Sequence, residues 1–403
     1  MLAALPLLTD ELAAWLRLAS ARGLKPAALR ALLGAFGLPQ QVLAQPFDAL
    51  AAVCGSQAAH AVLAPPSADF PQQLAAVQAW RALPGNALVT LADPAYPPRL
   101  LTMPDPPPLL YVKGRLDRLH ARSVAVVGSR SATPQALEDA QRFARTLAAA
   151  GLAVVSGLAL GVDGAAHEGA LSERGGTVAV IGTGADLVYP AAHHPLARQI
   201  AAQGAIVSEW PLGTPARSAN FPQRNRVISA LVEGVIVVEA AMRSGSLITA
   251  RLANEMGRDI FALPGSIHAP LSRGCHRLIK EGAQLVETPE EVLEALGVKQ
   301  TVPSAQAASH APRTGPATRR RSTKDAQTRP LEFTTPASAD SPPLDSQSAA
   351  LLAALGHAPA TLEILAQRTD MAEAMLQATL LRLELAGHVS ALPGGRFMRA
   401  SHC

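Results

Sequence analysis

The feature that most constrains the fold is a series of short apolar runs separated by helical stretches. The runs are SVAVV (123–127), LAVVS (152–156), TVAVI (177–181), AIVS (205–208) and GVIVVE (234–239). Because they are apolar throughout, they suit strands that are buried on both faces of a sheet. Strands of this kind alternating with helices predict a doubly wound, mostly parallel sheet. We therefore expect residues 121–297 to form an α/β domain.

The segments that precede this domain have a different composition. Residues 1–85 are rich in Ala and Leu, show helix-like spacing in ELAAWLRLAS and AALRALLGAFGL, and end each run with Gly or Pro. They predict a small helical domain, SAM-like or helix-hairpin-helix-like. Residues 86–120 form a proline-rich connector whose prolines exclude a continuous helix. We expect the connector to be extended and to pack on the α/β domain.

The residues that follow the α/β domain divide into a linker and a small folded domain. Residues 298–344 are dominated by Pro, Ser, Thr and Ala, with the basic run TRRRSTK at 318–324. Such a composition buries too little apolar surface to order itself and predicts a disordered linker, in which the basic run either attracts DNA or keeps the linker soluble. Residues 345–403 read as three helices followed by a hairpin about PGG at 393–395. That order of elements predicts a winged-helix domain.

Charge and composition limit the classes of function. Lys and Arg number 35 against 31 Asp and Glu, a formal net charge of +4, so a local patch must hold any anionic partner. Cys54, Cys275 and Cys403 lie far apart and predict no metal site. No apolar stretch reaches the roughly 18 residues of a membrane span, and no signal-peptide pattern opens the chain. We expect a cytoplasmic protein without a membrane contact.

Polar and glycine-rich turns follow several of the expected strands. In an open parallel sheet, ligands bind beyond the carboxyl ends of the strands, so these turns should meet at one rim. Glycines let backbone N–H groups approach an oxyanion, hydroxyls can donate to it, and arginines supply charge in bidentate geometry. The turns contain Gly128-Ser129-Arg130, Ser156-Gly157, Gly182-Thr183-Gly184 and Arg243-Ser244-Gly245-Ser246. Together they predict a phosphate-binding rim.

The segment NFPQRNRVISAL at 220–231 reads as the start of a helix, because Pro222 is tolerated in a first helical turn. A helix start favours an anion through its free N–H groups and its dipole. Arg224 and Arg226 are two positions apart, so their side chains diverge by roughly 200° on a helix. We expect them to serve different sites, with one of them in a salt bridge or interface contact.

Catalytic or cofactor chemistry finds weaker support. The dinucleotide fingerprint needs GxGxxG after the first strand, where the chain has GSRSAT, so we expect no cofactor. Asp163 and His167 lie four residues apart and form either an acid/base pair or a structural brace near a helix start. Glu239 is either a buried acid or a partner for an arginine. We expect neither a catalytic residue nor a metal.

Taken together, the motifs resemble those of the DNA-processing protein A (DprA or Smf) family in order and spacing. The segments that carry the resemblance are YPPRLLTMPDPPPLLYVKG (96–114), VAVVGSR (124–130), VSGLALGVDGAAHEGAL (155–171), VIGTGADLVYP (180–190), SEWPLGT (208–214), FPQRNRVISAL (221–231), VVEAAMRSGSLITARLANEMGR (237–258), FALPGS (261–266) and GCHRLIKEGA (274–283). The resemblance implies an extended Rossmann-like domain that binds single-stranded DNA. It also implies a homodimer and loading of the RecA recombinase onto incoming DNA during natural transformation.

The resemblance also implies where the DNA binds and what assists it. The strand should be protected in the rim described above, with single-strand-binding protein as a further partner. The expected DNA contacts are Gly128, Ser129, Arg130, Ser156, Gly157, Phe221, Arg224, Asn225, Arg226, Ser244, Gly245, Ser246 and Thr249. One departure is Ala191, where many relatives place a basic residue after the Tyr-Pro pair. The dimer should use the segment 276–285.

Two other functions remain open on the sequence. The architecture resembles that of nucleoside-monophosphate phosphoribohydrolases, but Ile248 and Thr249 stand where those enzymes are expected to carry acids. A regulator that reads duplex DNA through the winged helix is the other alternative. Its recognition helix should lie at 371–387, where Arg382 is the only basic residue, so we favour protein contacts or intramolecular packing for this domain.

Overall fold

A computed structural model describes most of the chain. The described residues are 4, 7–298, 345–355, 360–369, 371–392 and 395–400. The expected linker therefore lies outside the described residues, except for Val298. The basic run of the linker, at 318–324, lies wholly outside them. Two residues of the expected wing turn, Pro393 and Gly394, and the third cysteine, Cys403, also lie outside them.

The amino-terminal part is helical, as the sequence predicts. Its helices are α1 (Thr9–Ser20), α2 (Pro26–Phe36), α3 (Pro39–Leu43), α4 (Phe47–Cys54), α5 (Ser56–Leu63) and α6 (Phe70–Arg81). Prolines occupy the first turns of α2, α3 and α6, where the missing N–H costs nothing. Trp15 of α1 is fully buried in a cluster that also contains Trp80 of α6 and Tyr111 of the sheet. The helical part and the sheet therefore share one core.

One sheet organises the middle of the chain. Its strands are β1 (Asn86–Thr90), β2 (Leu109–Gly114), β3 (Ser123–Val127), β4 (Ala153–Ser156), β5 (Thr177–Val180), β6 (Ala205–Ser208), β7 (Gly234–Val237), β8 (Asp259–Ala262) and β9 (Gln284–Leu285). Within the described residues the strand order is β1-β2-β6-β5-β4-β3-β7-β8-β9. Strands β3 to β9 pair in parallel, whereas β1–β2 and β2–β6 pair antiparallel. The mostly parallel sheet is confirmed.

The connector contributes two strands to this sheet instead of only lying on it. Leu110 and Val112 of β2 are fully buried, and Val112 pairs with Val207 of β6. The prolines between β1 and β2 do exclude a long helix; the only helical part there is a short 3-10 turn at Pro98–Thr102. The sheet therefore begins at Asn86, inside the segment 86–120 that the sequence predicts to be a connector.

Helices cover both faces of the sheet. They are α7 (Pro134–Ala149), α8 (Val162–Leu171), α9 (His194–Gln203), α10 (Asn220–Leu231), α11 (Gly245–Glu255), α12 (Arg273–Lys280) and α13 (Pro289–Ala295). Successive residues of β3 show the two layers, because Val124 and Val126 enter one core and Ala125 and Val127 the other. This double burial explains why the strand is apolar at every position.

The carboxyl-terminal part has the winged-helix element order. Its helices are α14 (Ser346–Leu355), α15 (Leu362–Thr369) and α16 (Glu373–Leu385), and its strands are β10 (Ala360–Thr361), β11 (Val389–Leu392) and β12 (Arg396–Arg399). The strands form an antiparallel sheet in the order β10-β12-β11. Leu365, Leu376 and Leu383 are buried in a separate core between the three helices. The three predicted helices and the hairpin are confirmed.

Candidate functional site

The chain reverses its direction across the sheet at β3. From β3 it proceeds through β4, β5 and β6 on one side and then crosses back to β7 on the other. A crevice opens outside the carboxyl ends of strands at such a switch point. Here the crevice is a cleft of about 820 Å³. The expected contacts that line the cleft are Gly128, Ser129, Arg130, Phe221, Arg224, Asn225, Ser244, Gly245, Ser246 and Thr249.

An exposed arginine and two aromatic rings form the rim of the cleft. The Arg130 guanidinium carbon lies 5.0 Å from the centroid of the Phe221 ring, within range of a cation–π contact. The Tyr189 ring lies 5.9 Å from the Phe221 ring and is 51% exposed. The sequence-based list omits Tyr189, although the residue stands in the Tyr-Pro pair after β5. The rim thus offers the exposed cation of Arg130 beside two adjacent aromatic faces, and the exposed Arg243 also lines the cleft.

Two helices begin at the cleft. Helix α10 begins at Asn220, where the sequence predicts a helix start, and Asn220 donates to the carbonyl of Gly182 over 2.9 Å. Helix α11 begins at Gly245 and is capped by Ser244, whose hydroxyl accepts from the Ser246 N–H over 3.3 Å. The Ser246 hydroxyl donates to the carbonyl of Gly128 over 2.7 Å. The turns after β3, β5 and β7 are therefore tied to these helix starts.

The cleft floor contains the buried side chain of Arg224. Arg224 is 4% exposed, and its Nη1 donates to the carbonyl of Val180 over 2.9 Å. A Cβ atom at Gly157 would lie 1.4 Å from this nitrogen, so only glycine leaves room for the guanidinium. Burial lowers the pKa of Arg224, and the nearby Asp163 carboxyl opposes that change. Gly157 therefore does not line the cleft itself but leaves the space that the Arg224 side chain occupies.

The turn after β4 is held by side chains from α8. Leu158 adopts φ +59°, a left-handed conformation that is costly for a residue with a side chain. Asp163 accepts from the backbone N–H groups of Gly157 and Ala159 over 3.1 and 3.4 Å. Burial raises the pKa of Asp163. His167 accepts through Nε2 from the Leu158 N–H over 3.2 Å. The N–H groups of three successive residues, 157–159, thus donate to side chains of the single helix α8.

The hydrogen bonds of His167 fix its tautomer. The Thr177 hydroxyl donates to the carbonyl of Val154 over 2.8 Å, so its oxygen accepts from His167 Nδ1–H over 2.7 Å. Nε2 is then the acceptor for Leu158. Burial lowers the pKa of His167 to about 3, and the imidazole stays neutral. Asp163 and His167 brace the turn, and Gly161, not Asp163, occupies the N-cap of α8.

Two of the expected DNA contacts point away from the cleft. Ser156 is fully buried, and its hydroxyl donates to the carbonyl of Val126 over 2.7 Å. Arg226 donates to the carbonyl of Asp105 over 2.6 Å and pairs with Glu209. Burial raises the pKa of Glu209 to about 7, and Arg226 opposes this rise. Arg226 thereby fastens α10 to the connector, in line with the predicted divergence of the two arginines.

Glu239 joins the end of β7 to the start of α7. Its Oε2 accepts from the N–H of Thr133 over 3.0 Å, and Thr133 in turn caps α7. Burial raises the pKa of Glu239. Ile248, one of the two positions where an acid is expected in a phosphoribohydrolase, lines the cleft. Within the described residues there is no His, Cys, Asp and Glu cluster that could hold a metal ion, and no helix suited to crossing a membrane.

The family models and the similar proteins that match this chain agree on one family. Residues 87–297 match the family model for DNA recombination-mediator protein A, and residues 335–395 match the DprA winged helix domain. The chain is 41% identical over 328 residues to Protein Smf of Escherichia coli (strain K12), a match that covers 80% of each chain. It is 48% identical over 204 residues to DNA processing protein DprA of Streptococcus pneumoniae, covering 51% of this chain and 72% of that protein.

A solved structure supports the same assignment. The X-ray structure of DNA processing protein A from Streptococcus pneumoniae superposes with a TM-score of 0.60 at 36% identity. The match covers 72% of this chain and 98% of that chain. Sequence and fold therefore point to one family.

Proposed function

Because the chain belongs to the DNA-processing protein A (DprA or Smf) family, we propose that it is a mediator of recombination that binds single-stranded DNA in the cleft. The observation that carries this proposal is the meeting of Arg130, Phe221 and Tyr189 at the switch point of the sheet. A free cation suits a phosphate, and exposed aromatic faces suit unstacked bases.

The arrangement explains how a single strand would be held. Its phosphates would meet Arg130 and the first N–H groups of α11, and one or two bases would stack on Phe221 and Tyr189. Bases in a duplex are already stacked on one another and cannot reach these rings. Phosphate contacts carry no sequence information, so binding should depend little on base sequence.

The recognition helix supports protein contacts more than duplex reading. On α16 the exposed side chains include Met375, Leu381 and Leu385, whereas helices that read DNA present polar and basic side chains. The only basic residue of α16, Arg382, pairs with Asp345 over 2.9 Å. We therefore place DNA binding in the cleft and assign the winged helix to contacts with protein.

The proposal includes the partners of the reaction. The protein would protect incoming DNA in the cytoplasm during natural transformation and load RecA onto it, with single-strand-binding protein as a further partner. It would work as a homodimer through α12 and β9. Leu285 of β9 is 44% exposed at the edge of the sheet, which supports this surface. A mass measurement in solution that finds only monomers at micromolar concentration would contradict the dimer.

We further propose that the protein is not an enzyme. Ile248 and the buried Thr249 at the start of α11 supply no carboxylate for cleavage of a glycosidic bond. Incubation of a nucleoside monophosphate with the pure protein should release no ribose 5-phosphate. Release at a rate that follows the protein concentration would establish the phosphoribohydrolase instead.

A binding titration with oligonucleotides tests the central proposal. Single and double strands of the same sequence are compared at two salt concentrations. We expect single strands to bind more tightly, with an affinity that falls as salt rises because counterions are released. Equal or tighter binding of the duplex would favour the transcriptional regulator.

A further inference from the structure

Arg224 has more hydrogen-bond donors than the protein satisfies. A guanidinium has five N–H donors, and within the described residues Arg224 donates one hydrogen bond, to the carbonyl of Val180. Among the described residues no carboxylate oxygen lies within 4.0 Å of its nitrogens, and its Nε is buried without a partner. A side chain that is 4% exposed thus lines the cleft with donors to spare.

The nearby carboxylate does not fill this role. Asp163 also lines the cleft, but its Oδ2 already accepts from Gly157 and Ala159. A buried charge that lacks its full set of partners costs free energy, and an anion that reaches it recovers part of that cost. Within the described residues the cleft floor therefore holds guanidinium donors without a partner, whereas Arg130 lies exposed at the rim.

We propose that the cleft floor is a subsite for a phosphate monoester, held by Arg224 and the start of α11; this inference rests on the function proposed above. A monoester carries close to two negative charges and three free oxygens, whereas an internal phosphodiester has one charge and two free oxygens. The monoester thus matches the unused donors of Arg224 better. A monoester is also joined to the DNA strand on one side only, so the strand has to leave the cleft in only one direction. The group is either the phosphorylated end of a strand or a free nucleotide.

The experiment compares ligands that differ only in this group. One 15-nucleotide strand is titrated with a 5′-phosphate, with a 3′-phosphate and with hydroxyl ends, alongside deoxyadenosine monophosphate and deoxyadenosine. We expect about a tenfold preference for a phosphorylated end over hydroxyl ends. Thermal melting with the nucleotide and the nucleoside shows whether the free monophosphate binds as well. Stabilisation by the nucleotide alone identifies it as a second source of the monoester.

Three variants locate the effect. Arg224→Lys keeps the charge but loses the planar fork, so it should abolish the preference. Arg130→Ala should weaken all strands and keep the ratio, because Arg130 lies at the rim. Arg226→Lys is the matched control, since its side chain contacts Asp105 and Glu209 outside the cleft, and it should keep the ratio.

The outcomes separate this inference from the proposed function. If the wild-type protein binds all strand ends equally tightly, single-strand binding stands and the monoester subsite is wrong. If it binds no single strand and the nucleotide does not stabilise it, both are wrong. A preference that persists in a folded Arg224→Lys variant would move the subsite elsewhere. Should that variant fail to fold, the wild-type ratio alone decides.

Discussion

Replacing Arg130 with Ala removes the one cation of the rim that is both exposed and stacked on an aromatic ring in the described structure. The guanidinium carbon lies 5.0 Å from the centroid of the Phe221 ring. An exposed cation–π contact contributes only about 0.5–1 kcal/mol, so the variant should fold and melt nearly as the wild type does. A change in DNA binding would then reflect the lost phosphate contact.

The size of the effect follows from one phosphate contact. A charge-assisted hydrogen bond contributes about 1.5–3 kcal/mol, and the exposure of Arg130 places it near the lower end, about a tenfold loss of affinity. One contact contributes roughly 0.7 to the slope of log affinity against log salt for a single strand. The ratio of wild-type to variant affinity should therefore shrink about 2.6-fold between 50 and 200 mM salt. Fluorescence anisotropy with a labelled single strand measures both quantities.

Arg142→Ala provides the matched control for this measurement. Arg142 lies on α7 away from the cleft, and its guanidinium carbon is 5.6 Å from the centroid of the Phe143 ring. The control therefore removes the same charge and a similar ring contact, together with an ion pair to Asp139 over 3.1 Å, and its salt slope should equal that of the wild type. Wild-type affinity and slope in Arg130→Ala would refute the assignment of Arg130 to a phosphate.

Three further predictions follow from the same structure. Phe221→Leu should cost about 1–3 kcal/mol of single-strand affinity through lost stacking, with an unchanged salt slope; a slope change in the titration would contradict this. His167 has a folded pKa of about 3, well below its usual 6.5, so the unfolded state takes up the proton first and stability falls as the pH drops below 6.5. Denaturant unfolding should show about 2 kcal/mol lost between pH 7 and 5, and His167→Gln should lose much less. Deleting residues 300–403 should leave single-strand affinity within about threefold, a change worth ~0.7 kcal/mol; a larger loss would place the site in the tail.

The central strands were predictable because their burial appears directly in their composition. Strand β3 is apolar at Val124, Ala125, Val126 and Val127 because helices cover both of its faces. Strands β1 and β2 were not predicted, since β2 pairs antiparallel with the distant strand β6 and β1 pairs with β2, and no local pattern encodes the pairing of β2 with β6. The prolines around them correctly excluded a helix but could not distinguish a strand from an extended strap.

The site residues were predictable where a loop follows a strand. They were less predictable where side-chain packing determines whether a residue faces the cleft. The turns at Arg130 and at Ser244–Ser246 reach the cleft because carboxyl ends of parallel strands meet at one edge. Helical geometry separated Arg224 from Arg226, but only the contacts of Arg226 with Asp105 and Glu209 reveal which of them faces away. Ser156 ends a strand that is buried to its last residue, so its hydroxyl bonds to the neighbouring strand instead of a ligand.

The two ends of the nine-stranded sheet differ in a way that limits assembly. In β1, residues 88–90 are buried, and Leu88 packs in the cluster that contains Trp15 and Trp80 of the amino-terminal helices, whereas both residues of β9 are exposed. An uncovered strand edge can recruit another strand, and a chain with two such edges can polymerise. Pairing through β9 would consume the exposed edge of each subunit and leave outside only β1, whose residues 88–90 are buried. Association along the sheet would then stop at two copies, so the subunits would not grow into fibres.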